Sequence, residues 1–218
     1  IILIALMREL LPAPVVIPVH GIAQLASNSS RWIFGVRHVR WGLVWPFAIG
    51  AAAGGAGGAF LVRAFDWDLF PIVLGALILV AVWVRRVPAP LSGRGAFVFY
   101  GALQTFLSLF VGVVTPLNKT AMLRRELTRD ELVVTHGAHA TLVHLSKLIV
   151  FGAVGLFSAE YALLGVLVAA GAILGSLVGT WLRPLIPEER FRWILKALLT
   201  ILAVRLLVLG IIDVTGDE

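Results

Sequence analysis

Cysteine is absent from the 218 residues. Its absence excludes disulfides, thiolate metal sites, iron–sulfur clusters and cysteine nucleophiles together, and leaves the redox compartment undetermined. Charge is scarce as well, with 14% charged residues against 60% hydrophobic and a mean hydropathy of +0.98. A soluble chain carries about a quarter charged residues, so this composition describes an integral membrane protein and excludes collagen, coiled coil and disorder. Within the apolar stretches carboxylates are missing altogether, because all twelve acidic residues lie in connections or at span ends. No buried carboxylate is there to bind sodium, carry a proton or act as a general base. The net charge of +6 comes from arginines set beside apolar runs, which makes it a signal of topology and not of a nucleic-acid partner.

What the chain does contain is a series of apolar segments long enough to cross, or nearly cross, a core roughly 30 Å thick. They are Val15–Val36, Leu43–Val62, Leu69–Val84, Phe97–Val114, Leu132–Phe157, Tyr161–Leu182 and Phe191–Ile212. The sharpest break in composition, RRVPAPLSGRG at Arg85–Gly95, divides the chain into a first half, 1–88, a linker, 89–96, and a second half, 97–218. The halves repeat one another. A shift of 116 residues lays His20-Gly21 on His136-Gly137 and Ser30-Arg31 on Ser146-Lys147, and a shift of 121 lays Gly50, Gly54 and Gly58 on Gly171, Gly175 and Gly179. These glycines are spaced for close packing of helix backbones. Under the repeat, Ile1 pairs with Leu117, which leads us to expect about 20 further residues before Ile1.

Arginine positions choose between two topologies. If Phe97–Leu127 crosses fully, the halves lie parallel and loop arginines divide eight to five. If it dips in, breaks at Thr115-Pro116 and returns, the halves are inverted, eleven arginines share one side, and only Arg8 and Arg63 are on the other. The positive-inside rule selects the second arrangement. The expected fold is therefore all-α and membrane-integral. It has two inverted repeats, each a re-entrant or broken helix plus three spans, with basic loops cytoplasmic and the C-terminus periplasmic.

Polar residues mark the second helix of each half. On one helix Gln24, Asn28 and Arg31, with His20 and Ser27, share a face about 100° wide; on the other His139, His144 and Lys147 share a face, with His136, about 140° wide. Lipid cannot satisfy such stripes, so they face the protein interior or a wet cavity. His20 and His136 stand near helix ends, where interfacial or structural histidines are common. Arg31 is equally placed to reach the headgroups. Three histidines without a carboxylate or cysteine do not make a metal site, and no cofactor is expected. At Thr115-Pro116 the proline fits the first turn of a following helix, whose N–H groups would point into the membrane and bind an anion, with Asn118, Lys119 and Thr120 as further donors.

Two stretches carry a resemblance. SNSSRWIFGVRHVRWGLVWPFAIGAAAGGAGGAFL at Ser27–Leu61 and VVTPLNKTAMLRRELTRDELVVTHGAHATLVHLSKLIVFG at Val113–Gly152, together with the duplicated layout, make the chain similar to the sulfite exporter TauE/SafE family of bacterial membrane transporters. A glycine-rich turn typical of that family is not visible, and the matching turn here is Val113-Val114-Thr115-Pro116. The resemblance implies export of sulfite or an organosulfonate such as sulfoacetate, in a multi-pass protein of the bacterial inner membrane, often a homodimer. The substrate-binding residues are then Arg31, Asn118, Lys119, Thr120, Lys147, Gln24, Asn28, His139 and His144, none of them catalytic. Two other classes stay open: a membrane enzyme using histidines on a lipid-borne substrate, and a non-transporting membrane subunit.

Overall fold

The computed structural model of the chain describes residues 2–8, 10–83, 93–111, 116–156, 159–182 and 187–216. All regular structure among them is helical: α1 (Ile2–Arg8), α2 (Ala13–Phe34), α3 (Trp41–Ala64), α4 (Phe70–Trp83), α5 (Gly95–Val111), α6 (Pro116–Leu123), α7 (Arg129–Ala153), α8 (Ala159–Leu182) and α9 (Glu188–Gly216). Short 3₁₀ turns at Val36–His38 and Trp67–Leu69 lead into α3 and α4. Residues 84–92, which include the first part of the 89–96 linker, lie outside the described residues.

The sequence explains three of the helix starts. Proline occupies the opening turn of α2 and the first position of α6, where its missing N–H leaves no bond unmade. Thr128 caps α7 through a reciprocal capping box, its hydroxyl accepting from the Glu131 N–H while the Glu131 carboxylate accepts from the Thr128 N–H. Arg40 pairs with the same carboxylate at 2.8 Å.

Trp41–Ala64 and Trp193–Ile212 are long and apolar enough to cross a membrane, and Trp67–Val80, Gly95–Phe110 and Tyr161–Gly175 are shorter apolar helices. Their outer faces expose Trp45, Ile49, Phe60, Leu167, Leu174, Ile194, Ile201 and Val208. A soluble monomer does not leave that much apolar surface in water, and a bilayer covers it.

Helices pack in pairs: α3 on α5, α2 on α7, α4 on α9, α2 on α8 and α3 on α7. The α3/α5 pair is the closest. A Cβ at Gly50 would fall on the Val98 carbonyl, one at Gly54 on the Ala102 carbonyl, and one at Gly101 on the Phe47 carbonyl. The first glycine run thus packs within the chain. In the second run, Gly171 and Gly175 meet nothing within 4 Å among the described residues.

Between α5 and α6 the chain reverses. The guanidinium of Arg125, just past α6, lies 5.9 Å above the ring of Phe97, near the start of α5, and Ala121 and Met122 share a core cluster with Ala96, Phe97 and Tyr100. Both ends of this element therefore stand at one level. Its break at Thr115-Pro116 sits where α6 begins, although Thr115 itself is outside the described residues.

Candidate functional site

The two polar helices α2 and α7 cross antiparallel. His20 meets His144 with ring centroids 6.0 Å apart, whereas toward the other end of α2 the Trp32 indole Nε1–H donates to Thr141 Oγ at 3.1 Å. Small residues allow the approach: a Cβ at Gly137 would touch the Asn28 carbonyl at 3.2 Å, and one at Gly21 would touch Leu148 at 3.4 Å. Into this seam the helices place three groups able to carry positive charge. His20 and Lys147 are fully buried and His144 is 6% exposed. Neither ring nitrogen of His20, nor Nδ1 of His144, meets a hydrogen-bond partner among the described residues. The described carboxylates Asp66, Asp68, Glu126, Asp130, Glu131 and Glu189 all lie at helix starts or in connections. A buried basic cluster of this kind suits an anion, which offers acceptors and negative charge to the His20 and His144 rings.

A second polar centre forms where α6 and α3 pack on α7. His139 is fully buried, with Nδ1 at 3.0 Å from Asn118 Nδ2 and Nε2 at 3.2 Å from the Leu43 carbonyl. Its ring stacks on Phe47, centroids 4.2 Å apart, and lies 5.7 Å from Phe97. Pro46, three residues after Leu43, lacks an N–H and loosens this turn of α3. Asn118 is also fully buried, and its Oδ1 has no partner among the described residues.

Beside this centre opens a groove of about 480 Å³ whose lining includes Leu43, Arg40, Arg94, Arg125 and Glu126. Leu43, whose carbonyl His139 engages, is the lining residue it shares with this centre. A larger groove of about 900 Å³, lined by Trp83, Trp193 and Lys196, lies on the outer side of α4 and α9 and does not reach the polar residues. There the Lys196 ammonium sits 5.4 Å above the Trp83 ring, as expected of an aromatic and basic belt at a membrane surface.

The remaining sequence-derived candidates are dispersed. Asn118 and His139 are paired, and His144 and Lys147 lie together. Gln24 and Asn28 are engaged with each other, Asn28 Nδ2 donating to the Gln24 carbonyl at 2.8 Å and to its Oε1 at 3.2 Å. Arg31 is exposed and stands beside Gly137, ten residues or about 15 Å along α7 from Lys147. The side chains of Lys119 and Thr120 lie outside the described residues. His20, which sequence reasoning placed among interfacial or structural histidines, is fully buried with its ring against His144. The His-Gly match between the halves was the signal, but a position near a helix end concealed its depth. Among the described residues no three histidine or acidic side chains are grouped to hold a metal ion.

Searches of curated proteins and of solved structures gave no match. The family profile described as "Sulfite exporter TauE/SafE" matches residues 1–206, which takes in both polar helices, the α5/α6 reversal and both glycine runs. The chain is a membrane protein that belongs to the sulfite exporter TauE/SafE family.

Proposed function

We propose that this protein exports a small sulfur-containing oxyanion, sulfite or an organosulfonate such as sulfoacetate, through a basic site between two inverted halves. The observation that carries the reading is the burial of Lys147 at the α2/α7 seam together with His20 and His144. A sulfonate offers only acceptors, so a site built of donors fits it. Movement of one negative charge outward through an inside-negative potential is favoured by about 2.3 kcal/mol per 100 mV.

The inverted arrangement, with halves 1–88 and 97–218 joined by the linker 89–96, has three supports. Helices equated by the shift of 116 residues, α2 and α7, cross antiparallel, as an axis in the membrane plane requires. The packing of α2 on α8 has a counterpart in that of α7 on α3. The reversal between α5 and α6 matches a re-entrant element. With the arginine-rich loops cytoplasmic, the C-terminus faces the periplasm of a bacterial inner membrane. A homodimer completes the reading.

The test is flux of labelled sulfite, sulfoacetate and taurine in proteoliposomes, with the potential set by a potassium gradient and valinomycin. Saturable, potential-sensitive flux is expected. Lys147→Met retains the apolar stem, removes the charge, and is expected to lower flux by about tenfold or more. Unchanged flux and affinity in folded Lys147→Met protein would remove Lys147 from the site. No flux of any of the three anions, at either sign of potential, would sink the transport reading.

A further inference from the structure

Asn118 and His139 can share their bond in two ways, and each way fixes what Asn118 offers on its other side. The Leu43 carbonyl only accepts, so His139 Nε2 carries a hydrogen and the neutral ring leaves Nδ1 as an acceptor. Asn118 therefore turns its NH₂ toward the histidine, and its Oδ1 faces away, buried and without a donor among the described residues. A second proton, placed on Nδ1, makes the ring a donor at both nitrogens. The amide must then rotate to accept through Oδ1, which carries the NH₂ donors to the position Oδ1 held.

We propose that Asn118 and His139 form a proton-controlled amide switch, in which a proton on His139 turns Asn118 from acceptor to donor at the first turn of α6, so that an oxyanion binds there together with a proton. The inference rests on the anion reading above and goes beyond it by placing an oxyanion also at the first turn of α6, with His139 as a positioning residue that acts through Asn118. Three features of the surroundings favour it. Asn118 is the third residue of α6, beside N–H groups that a helix start leaves without internal acceptors. With Oδ1 outward, that turn opposes an oxyanion; with NH₂ outward, every group there donates. Phe47, stacked on the imidazole, stabilises a charged ring through its face. The groove with Arg40, Arg94 and Arg125 is lined also by Leu43, whose carbonyl His139 engages.

The charged and titratable groups around the pair set the direction of coupling. On α7 itself His136 stands one turn away; just past α6 comes Arg125, above Phe97; α5 brings Tyr100, in the same apolar cluster, and Arg94 precedes its start. Arg40 precedes α3 and is held by Glu131, and Glu126 lines the groove. No described carboxylate of α3, α5 or α6 faces His139 to hold a proton on it. The bound anion does so instead, and by reciprocity the proton strengthens the anion's binding by the same factor.

The experiment uses isethionate, a sulfonate whose charge stays constant across the working range, in proteoliposomes of the full chain. Apparent affinity is expected to rise with acidification toward the limit for one linked proton, about tenfold per pH unit. In His139→Gln, which has an amide and no titratable proton, any remaining flux loses that slope. ¹⁵N NMR of histidine-labelled wild-type protein, with His139 assigned through its contact to Phe47, is expected to give the Nε2–H tautomer without anion and the doubly protonated ring with isethionate at the same pH. A flat wild-type profile, a slope that persists in His139→Gln, or an Nδ1–H tautomer overturns the switch. If isethionate and sulfite both fail to move, the anion reading falls, and NMR alone judges the switch: a shift of the Asn118 amide signals as His139 takes up a proton sustains it, and no shift overturns it.

Discussion

His20 and His144 meet edge to face across the crossing of α2 and α7, 6.0 Å between ring centroids, and only an antiparallel crossing brings them together while Trp32 reaches Thr141. One histidine comes from α2 and the other from α7, so the buried basic cluster is built at their crossing and belongs to neither helix alone. Relative displacement of the two helices would take the cluster apart, which is the property an alternating transporter needs at its binding site.

The native absence of cysteine makes the crossing directly testable. Paired cysteines at Gly21 and Leu148, which the packing places in contact, should join through a short bismaleimide, whereas cysteines at Trp32 and Leu148 should not. The reverse pattern would place Leu148 opposite Trp32 and overturn this crossing.

The proposed inverted arrangement predicts membrane sidedness. Single cysteines at Arg37 and Arg125 are expected to react with an impermeant maleimide from one side of the membrane, and one at Asp66 from the other. Labelling of Arg37→Cys and Arg125→Cys from opposite faces would contradict the inverted arrangement.

The α3/α5 contact predicts a contrast between neighbouring glycines. Gly54→Ala drives a methyl group into the Ala102 carbonyl and should destabilise by about 1–3 kcal/mol or more. Gly57→Ala meets nothing within 4 Å and should be neutral or stabilising by up to about 1 kcal/mol. Thermal unfolding in detergent compares them, and equal effects would disprove the tight contact.

At the start of α7, Thr128→Ala should cost about 1 kcal/mol by removing the cap. The Thr128 backbone N–H, assisted by Arg40, holds the Glu131 carboxyl below its ordinary range. A carboxylate whose pKa is lowered by folding stabilises fully above its unfolded value and loses that contribution as pH falls through the folded value. Thermal stability should therefore decline on acidification, and Glu131→Gln should reduce that decline. An unchanged pH profile in Glu131→Gln would exclude this contribution.

Much of the fold was legible in the sequence because apolar length and proline position act locally. The span Leu43–Val62 became Trp41–Ala64, Phe191–Ile212 became Glu188–Gly216, and Pro116 opens α6 as its fixed φ favours. The polar stripes of α2 and α7 were also readable, since lipid forces such faces inward. Pairings between helices were not. Nothing in a periodic pattern says that His20 lies opposite His144, that Gln24 and Asn28 satisfy each other, or that a main-chain carbonyl at Leu43 selects the tautomer of His139. Arg31, on the polar face but close to the helix end, reaches the surface because its long stem can carry the charge outward.

The contact between α3 and α5 has a reach beyond packing. Two backbones that touch through Gly50, Gly54 and Gly101 cannot slide without collision, so the pair behaves as one stiff plank. That plank carries the Leu43 carbonyl on one member and Phe97 on the other, both against His139. Glycines, which have no side-chain chemistry, thus fix which nitrogen of a histidine keeps its hydrogen, and a methyl group added to the plank would be felt as an altered acid–base response some two turns away.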